Sequence, residues 1–240
     1  MAAPRPHVFV TGSSRGIGAA ILQQLEAKGA RVIGHGTQRA GEQQLGADLA
    51  VRGAGEALWN EALERLDRRI DVVINNAGIY EPISIGESPE RWAAAWQRTL
   101  QVNLQAAADL CRFAVGHFRT RSEGGRIVNV ASRAAYRGDS PEHWHYAAAK
   151  AGLIAVTKSI ARGFAEEAIY AFGVAPGFTM TGMASDYLES RGGERILAEI
   201  PLRRVNEPEE VANAVVYLAL EAPAAMTGAV IDLNGASYVR

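Results

Sequence analysis

Short apolar runs rich in β-branched residues alternate along this chain with longer stretches in which apolar residues recur every three or four positions. The short runs lack alternating polar positions, which is typical of parallel strands buried on both faces. The longer stretches predict amphipathic helices. Strands are predicted at residues 7–11, 30–34, 71–75, 126–131, 169–175 and 229–233, and helices from residue 17 to Gly29 and at residues 89–118, 145–167 and 208–220.

This order of strands and helices predicts an α/β fold, a Rossmann-like, doubly wound parallel sheet with helices on both faces. Residues 38–49 are too few for a full helix plus a strand, so the second crossover is expected to be abbreviated. No proline- or serine-rich linker divides the chain, and we expect a single domain over residues 1–240. A lid of two short helices is expected at about residues 182–200, with a surface hairpin as the alternative.

Composition narrows the class of protein. Of 240 residues, 48% are hydrophobic and 21% charged, and the net charge of −1 comes from interspersed charges that favour neither a nucleic-acid nor a charged protein partner. Residues 1–7 are too polar for a signal peptide, and no apolar run approaches the roughly 20 residues of a membrane span. We therefore expect a cytoplasmic protein. Cys111, the single cysteine, excludes an internal disulfide and is expected to pack in the core.

A glycine-rich turn, Thr11-Gly12-Ser13-Ser14-Arg15-Gly16-Ile17-Gly18, joins the first predicted strand to the first predicted helix. Glycines allow a sharp turn and close approach to a pyrophosphate, and the following helix offers free N–H groups. Three residues rather than one separate the first two glycines, unlike the usual dinucleotide pattern. In its strand–turn–helix context, the motif predicts a dinucleotide site.

The end of the second predicted strand indicates which dinucleotide is bound. An acid there would bind the adenosine ribose and repel a 2′-phosphate, but no acid lies between Glu26 and Glu42. Thr37 offers a hydroxyl, and Arg15 and Arg39 offer guanidinium groups that suit a phosphate. The sequence therefore favours NADP(H) over NAD(H), with solvated surface arginines as the alternative reading.

Three side chains are suited to proton transfer. Tyr146 and Lys150 lie four residues apart on a predicted helix and hence on one face. An ammonium nearby is expected to lower the tyrosine pKa from about 10, so that Tyr146 exchanges a proton with a carbonyl or alcohol oxygen. Ser132 ends a predicted buried strand, and ligands of open parallel sheets bind beyond the carboxyl ends of the strands. The segment Asn75-Asn76-Ala77-Gly78 ends another strand in the same way.

With these motifs in this order, the chain resembles the classical short-chain dehydrogenase/reductase family over nearly its whole length. The resemblance implies a sheet of about seven strands, a nicotinamide cofactor and a homotetramer. It implies that Tyr146 is the general acid/base, that Ser132 binds the substrate oxygen, and that Lys150 lowers the tyrosine pKa and binds the nicotinamide ribose. It also implies that Asn103, through the helix around it, holds a water of the proton relay. The cofactor residues that it implies, together with those of the glycine turn, are Gly12, Ser14, Arg15, Gly16, Ile17, Gly18, Thr37, Asp48, Leu49, Asn75, Ala77, Gly78, Tyr146, Lys150, Pro176, Gly177, Thr179 and Thr181.

Within this family, the pattern is most similar to bacterial 3-oxoacyl-(acyl-carrier-protein) reductases. Glu166 and Glu167, at the end of the catalytic helix, would repel an acidic carrier, which argues against that substrate. The loop at residues 133–145 either borders the substrate, with an arginine for a carboxylate, or is a solvated loop with an aromatic lid. His143 and His145 lack further ligands, and no metal is expected.

Three functions are consistent with this sequence. The first is an NADP(H)-dependent oxidoreductase of a carbonyl or secondary alcohol. The second is an NAD(H)-dependent dehydrogenase of a sugar, polyol or hydroxy acid. The third is a dinucleotide-binding sensor or scaffold without turnover, which we expect to have lost the tyrosine or the lysine that this chain retains.

Overall fold

The computed structural model describes residues 5–180 and 193–240, and within these residues seven parallel strands form one sheet. The strands are β1 (His7–Val10), β2 (Arg31–Gly36), β3 (Gln44–Gly46), β4 (Val72–Asn75), β5 (Gly125–Val130), β6 (Ile169–Pro176) and β7 (Val230–Leu233). Their order across the sheet is β3-β2-β1-β4-β5-β6-β7. The direction of winding reverses beside β1, which is where doubly wound sheets bind dinucleotides. The predicted fold class is confirmed.

Helices connect these strands. The described helices are α1 (Gly16–Ala27), α2 (Ala54–Arg65), α3 (Pro89–Leu100), α4 (Ala106–Phe118), α5 (Ala134–Arg137), α6 (Trp144–Phe164), α7 (Gly193–Ala198) and α8 (Pro208–Leu220). A π-helical turn, Gln101–Gln105, joins α3 to α4, and single 3-10 turns occupy Ala165–Glu167 and Ala224–Met226. In the described part of the chain, no helix combines the length and apolar character needed to cross a membrane.

Two apolar cores lie on the two faces of the sheet because side chains alternate along each strand. On β1, Val8 and Val10 face the core covered by α1 and α8, whereas Phe9 faces the core covered by α2, α4 and α6. All three side chains are fully buried. This burial on both faces explains why the strands are predicted by continuous apolar runs.

The connection from β2 to β3 contains no helix, as the shortness of residues 38–49 predicts. The strand β3 has only three residues and pairs with the end of β2, where His35 is opposite Leu45. Leu45 is fully buried and anchors the short strand against the α2 side of the sheet.

Buried amides tie two central strands to α6 near the carboxyl edge of the sheet. The Asn75 Nδ2 group donates to Asn129 Oδ1 at 2.8 Å, and Asn129 Nδ2 donates to Thr157 Oγ1 at 2.9 Å. Thr157 in turn donates to the Leu153 carbonyl oxygen within α6. Since buried polar groups are costly unless hydrogen-bonded, this chain of bonds fixes how α6 sits on the sheet.

Candidate active site

The glycine turn between β1 and α1 is built by close backbone contacts. Gly12 and Gly16 have positive φ angles of 64° and 54°, which residues with a Cβ rarely adopt. A Cβ on Gly12 would lie 2.6 Å from the Ala77 Cα, and one on Gly18 would lie 2.1 Å from the Gly12 carbonyl oxygen. The turn therefore requires glycine at positions 12 and 18, as a surface that receives a pyrophosphate closely does.

Side chains outside the predicted site set hold this turn in place. Asn76 Nδ2 donates to the Gly12 carbonyl oxygen at 2.8 Å, and the Thr11 hydroxyl oxygen accepts the backbone N–H groups of Asn76 and Ala77, both at 3.1 Å. His35 Nδ1 accepts the Gly12 N–H at 3.3 Å, while its Nε2 bonds to the Ala47 carbonyl oxygen at 2.9 Å. Sequence reasoning missed these roles for Thr11, Asn76 and His35.

The turn fits the phosphates of a dinucleotide. Gly16 and Ile17 open α1, whose first turn contains no acidic residue that would repel an anion. Ser14, Arg15 and Thr37 are exposed beside the turn. The Arg39 guanidinium lies 3.5 Å from the Glu61 carboxylate, so Arg15 is the better-placed free cation of the two. These residues would hold the pyrophosphate and the adenosine end.

The other predicted cofactor residues lie after β6, after β3 and at the end of β4. Pro176 ends β6, and a Cβ on Gly177 would lie 2.9 Å from the Asn234 Cα. Thr179 is buried, and its hydroxyl donates to the Gly177 carbonyl oxygen. Asp48 is exposed and Leu49 is buried behind it. The Asn75 side chain points into the core toward Asn129, so only its backbone is available at the edge. Thr181 lies outside the described residues.

Lys150, Gly78 and Asn103 meet at the carboxyl edge of the sheet. A Cβ on Gly78 would be 3.4 Å from Lys150 Nζ and 3.3 Å from Asn103 Oδ1. Lys150 is buried, and its Nζ donates to the Val130 carbonyl oxygen at the end of β5 at 2.9 Å. The structure thus brings together residues that are far apart in the sequence, and Gly78 leaves room for the two side chains.

Asn103 lies in the π-helical turn between α3 and α4. Its side chain bonds to both backbone groups of Ile79, with the Ile79 N–H to Oδ1 and the Asn103 Nδ2 to the Ile79 carbonyl oxygen each at 2.8 Å. A single π turn within a longer helix often marks a functional position. The predicted helical stretch at residues 89–118 is confirmed, but the sequence did not predict the π-helical turn within it, where Asn103 is hydrogen-bonded to Ile79.

Tyr146 and Lys150 occupy the same face of α6, one turn apart, as predicted. The Lys150 ammonium nitrogen lies 5.8 Å from the centre of the Tyr146 ring. The Ser132 hydroxyl lies near enough to the phenol to favour its ionised form, and its oxygen accepts the Ala134 N–H at 3.1 Å. Ser132 is therefore held at the end of β5 facing the phenol, and a carbonyl oxygen bound between the two hydroxyls would receive hydrogen bonds from both.

Burial sets the direction of both pKa shifts in this site. Burial raises the pKa of Tyr146 to about 12, outweighing the opposite effect of the Ser132 hydrogen bond. Burial also lowers the pKa of Lys150 to about 8. In the protein without cofactor, low polarity disfavours both charged forms and the ammonium is turned toward Val130. That Lys150, together with an oxidised nicotinamide, lowers the pKa of Tyr146 stays a prediction.

Aromatic side chains surround the phenol. The Tyr80 ring meets Tyr146 edge-on, with ring centres 4.8 Å apart, and stacks on His143 at 3.8 Å with an angle of 6° between the planes. His143 Nδ1 is 2.8 Å from the Ser140 hydroxyl oxygen. Tyr80 lies two residues after Gly78, and sequence reasoning gave it no role.

The loop at residues 133–145 is only partly solvated. Arg133, His143 and His145 are buried, whereas the residues around Asp139 are exposed and Trp144 is half exposed. Of the two readings offered for this loop, burial of these basic side chains beside Ser132 and Tyr146 favours the one in which the loop borders the substrate.

Two further predictions concern cysteine and metal chemistry. Cys111 is buried and bonded to Asn75, and burial raises the pKa of its thiol to about 12, which confirms a packing role. Over residues 5–180 and 193–240, no three His, Cys, Asp or Glu side chains are grouped as a metal site would require.

Comparison with known proteins shows the family to which this chain belongs. A family model described as "Enoyl-(Acyl carrier protein) reductase" matches residues 12–235. The chain is 36% identical to the 3-oxoacyl-[acyl-carrier-protein] reductase FabG of Escherichia coli, covering 96% of each chain. It is 38% identical to nodulation protein G of a Rhizobium species, covering 95% of this chain and 94% of that protein.

A solved structure gives the same picture of the fold. The ligand-free aldohexose dehydrogenase of Thermoplasma acidophilum superposes with a TM-score of 0.86 at 26% sequence identity, covering 98% of this chain and 95% of that one. The seven-stranded parallel sheet agrees with this structural similarity. The chain therefore belongs to the short-chain dehydrogenase/reductase family, and is an NAD(P)-dependent oxidoreductase that transfers a hydride to or from a carbonyl or CH–OH group.

Proposed function

We propose that this protein uses NADP(H) to reduce the carbonyl of a small molecule to a secondary alcohol, with Tyr146 as the general acid. The observation that carries this proposal is the placement of Tyr146 beside Ser132 and beside the buried Lys150 ammonium, whose nitrogen lies 5.8 Å from the centre of the Tyr146 ring. A phenol with a pKa near 12 stays protonated at neutral pH and is ready to donate. Because reduction of a carbonyl requires a proton donor, a protonated phenol favours the reductive direction.

Each residue has a defined part in the reaction. When bound, the nicotinamide supplies the hydride to the carbonyl carbon. Ser132 donates a hydrogen bond to the carbonyl oxygen, and the Tyr146 proton moves to that oxygen as negative charge develops on it. Lys150 stabilises the phenolate that remains, and holds the ribose hydroxyls. The Asn103 side chain is bonded to both backbone groups of Ile79, so the helix around Asn103, rather than its side chain, would hold a water that returns the proton from solvent.

The preference for NADP(H) rests on the exposed end of β2. Thr37 and Arg15 are exposed there, and the described residues place no acid in that strand end. A guanidinium and a hydroxyl suit the 2′-phosphate, whereas an acid would suit the free ribose.

The proposed substrate is small rather than attached to an acidic carrier protein. Glu166 and Glu167 are exposed at the end of α6, although Glu167 lies 2.7 Å from the Arg119 guanidinium. Negative charge at this position disfavours an acidic partner. We further propose that residues 1–240 form a single domain and that the protein acts as a homotetramer in the cytoplasm. The lid predicted at about residues 182–200 lies outside the described residues up to residue 192, and Gly193–Ala198 is a helix.

Oxidation of a sugar, polyol or hydroxy acid with NAD(H) is the second candidate. The similarity to an aldohexose dehydrogenase structure favours it. The end of β2 argues against it, because Gly36 and Thr37 offer no carboxylate to the ribose hydroxyls.

Titration of the purified protein with NADPH and with NADH, followed by fluorescence, tests the cofactor proposal. NADPH is expected to bind at least about 10-fold more tightly, since a charge-assisted hydrogen bond contributes about 1.5–3 kcal/mol. Arg15→Ala should weaken NADPH binding by about 10-fold or more and leave NADH binding unchanged, whereas Arg39→Ala should have a smaller effect. Tighter binding of NADH by the unmodified protein would contradict the proposal.

Turnover separates these enzymes from a sensor or scaffold. Ketones, ketoesters, sugars and acyl thioesters are supplied with NADPH, and the corresponding alcohols with NADP⁺, while absorbance at the reduced nicotinamide band is followed. Reduction of small ketones or ketoesters supports the proposal. Cofactor binding without turnover of any compound would favour the sensor.

A further inference from the structure

Arg133 follows the catalytic Ser132 directly and is held at the carboxyl edge of the sheet. Its backbone N–H donates to the Pro176 carbonyl oxygen at 2.9 Å, where β6 ends. It therefore lies between the strand end that carries Ser132 and the segment that we assign to the nicotinamide. Arg133 is thus the sequence neighbour of the residue that we assign to the substrate oxygen.

The guanidinium is buried without an ion-pair partner among residues 5–180 and 193–240. Arg133 is 7% exposed. Its Nη1 donates to the Ser237 hydroxyl, and its guanidinium carbon lies 4.9 Å from the centre of the Phe178 ring. Neither group carries a negative charge. A buried charge without an opposite charge is costly, so its retention beside an active site points to a charge brought by a ligand.

The acidic groups near Arg133 have other partners. Glu199 lies 3.5 Å from the Arg137 guanidinium, and Asp139 accepts a hydrogen bond from the Tyr80 hydroxyl at 3.1 Å. Burial, followed by the positive charge of Arg137, lowers the pKa of Arg133. Two arginines thus face this region, and the more buried of them has only Ser237 as its hydrogen-bond partner among the described side chains.

Its position after Ser132 and its backbone bond to Pro176 place Arg133 at the edge of the sheet that carries the catalytic pair. Arg133 interacts electrostatically with Tyr80, and the Tyr80 ring contacts Tyr146 edge-on. His143 stacks on the Tyr80 ring and is 8% exposed. Within the described residues, its Nε2 has no hydrogen-bond partner. A buried guanidinium without a counter-charge and a buried imidazole nitrogen without a hydrogen-bond partner therefore lie, among the described residues, at the edge of the sheet that carries the phenol.

We propose that Arg133 binds a carboxylate of the substrate, so that the molecule reduced is an oxo acid and the product a hydroxy acid. This inference rests on the proposed function. A guanidinium presents two parallel N–H groups that match the two oxygens of a carboxylate, and burial strengthens that bond. The carboxylate orients the substrate so that its ketone oxygen lies between Ser132 and Tyr146. Arg133 is thus a residue that determines specificity for carboxylates.

The alternative is a purely structural role, in which Arg133 only ties the C-terminal segment at Ser237 to Phe178. Three pairs of compounds distinguish the two roles: pyruvate, acetoacetate and levulinate, each beside its methyl ester. The pairs separate the ketone from the carboxyl carbon by none, one or two carbons. Methylation removes the charge and keeps the ketone.

The experiment measures kcat and KM with NADPH for the unmodified protein, Arg133→Gln, Arg133→Lys and the control Arg112→Gln, an exposed arginine on α4. For at least one pair, the unmodified protein is expected to favour the acid over its ester by about 10-fold or more in kcat/KM. Arg133→Gln should raise KM for that acid by about 10- to 100-fold and leave the kinetics of the ester nearly unchanged. Arg133→Lys should recover part of the loss, and Arg112→Gln should behave like the unmodified protein.

Two results would overturn this inference. One is equal or better use of the ester in all three pairs by the unmodified protein. The other is an equal loss for acid and ester in Arg133→Gln with a lowered melting temperature, which indicates the structural role. Failure of every ester and acid to be reduced would instead overturn the proposed function, and reduction of esters without preference for acids would overturn the carboxylate inference alone.

Discussion

Lys150 Nζ donates to the Val130 carbonyl oxygen at 2.9 Å, which joins the catalytic helix to the strand that ends at the catalytic serine. This bond holds the ammonium in a buried position, where its pKa is lowered to about 8. Lys150 is therefore charged at neutral pH and loses its charge only slightly above it. The hydrogen bond to Val130 therefore fixes where the positive charge of Lys150 lies relative to the end of β5.

A pH profile tests the charge of Lys150. The kcat/KM for NADPH reports on groups of the free enzyme, and we expect it to fall as pH rises through about 8, because Lys150 becomes neutral there. Lys150→Met should lack this fall and be about 10- to 100-fold less active at pH 7, the loss expected for one hydrogen bond to a charged group. A profile that stays level to pH 10 would show that Lys150 does not titrate in this range.

Substitution of two helical glycines by alanine tests the glycine turn. A Cβ on Gly18 would lie 2.1 Å from the Gly12 carbonyl oxygen, whereas a Cβ on Gly116 of α4 meets no atom within 4 Å. Gly18→Ala should lower the free energy of unfolding by about 1–3 kcal/mol and weaken NADPH binding. Gly116→Ala should raise it by about 0.5–1 kcal/mol. Denaturant unfolding measures both, and equal stability of Gly18→Ala and the unmodified protein would contradict the described packing.

The stability of the protein is expected to depend on pH through His35. Burial lowers the pKa of its imidazole below the ordinary value of 6.5, with the Ala47 hydrogen bond opposing in part. Between the lowered value and 6.5 the unfolded chain binds more protons than the folded one, so stability falls as pH decreases through this window. Each such group contributes at most about 1.4 kcal/mol per pH unit.

Melting temperatures measured between pH 5 and 8 check this expectation. His35→Asn should show a shallower decrease on the acid side, and weaker NADPH binding, because Gly12 loses the ring nitrogen that accepts its N–H. If His35→Asn and the unmodified protein had parallel profiles, His35 would not be the titrating group.

Much of the fold is predictable because its strands and helices carry distinct hydrophobic patterns. The short strand Gln44–Gly46 is not predictable in this way, since three residues are too few to show a pattern. The π turn at Gln101–Gln105 is missed for a different reason: its residues suit an ordinary helix, and the tertiary bonds of Asn103 to Ile79 are invisible in the sequence. Hydrophobic patterns within one segment predict most strands and helices, whereas the short strand and the π turn depend on contacts between segments that are distant in the sequence.

Sequence patterns also predict part of the active site, and tertiary contacts determine the rest. Ser132, Tyr146 and Lys150 are predictable because motif spacing places them at strand ends or on one helix face. Period-two alternation along β4 could have placed Asn75 on the same face as Val73, and hence in the core with Cys111. The direction of the Tyr146 pKa shift was beyond sequence reasoning, because it depends on how deeply the phenol is buried.

Replacement of the phenol tests the central claim most directly. In Tyr146→Phe the ring remains and only the proton donor is lost, so NADPH should bind within about threefold of the unmodified protein, a difference of under about 0.7 kcal/mol. The kcat for carbonyl reduction should fall by about 100-fold or more, the contribution expected of a general acid. Unchanged kcat in Tyr146→Phe, with cofactor binding intact, would contradict the assignment of Tyr146 as the proton donor.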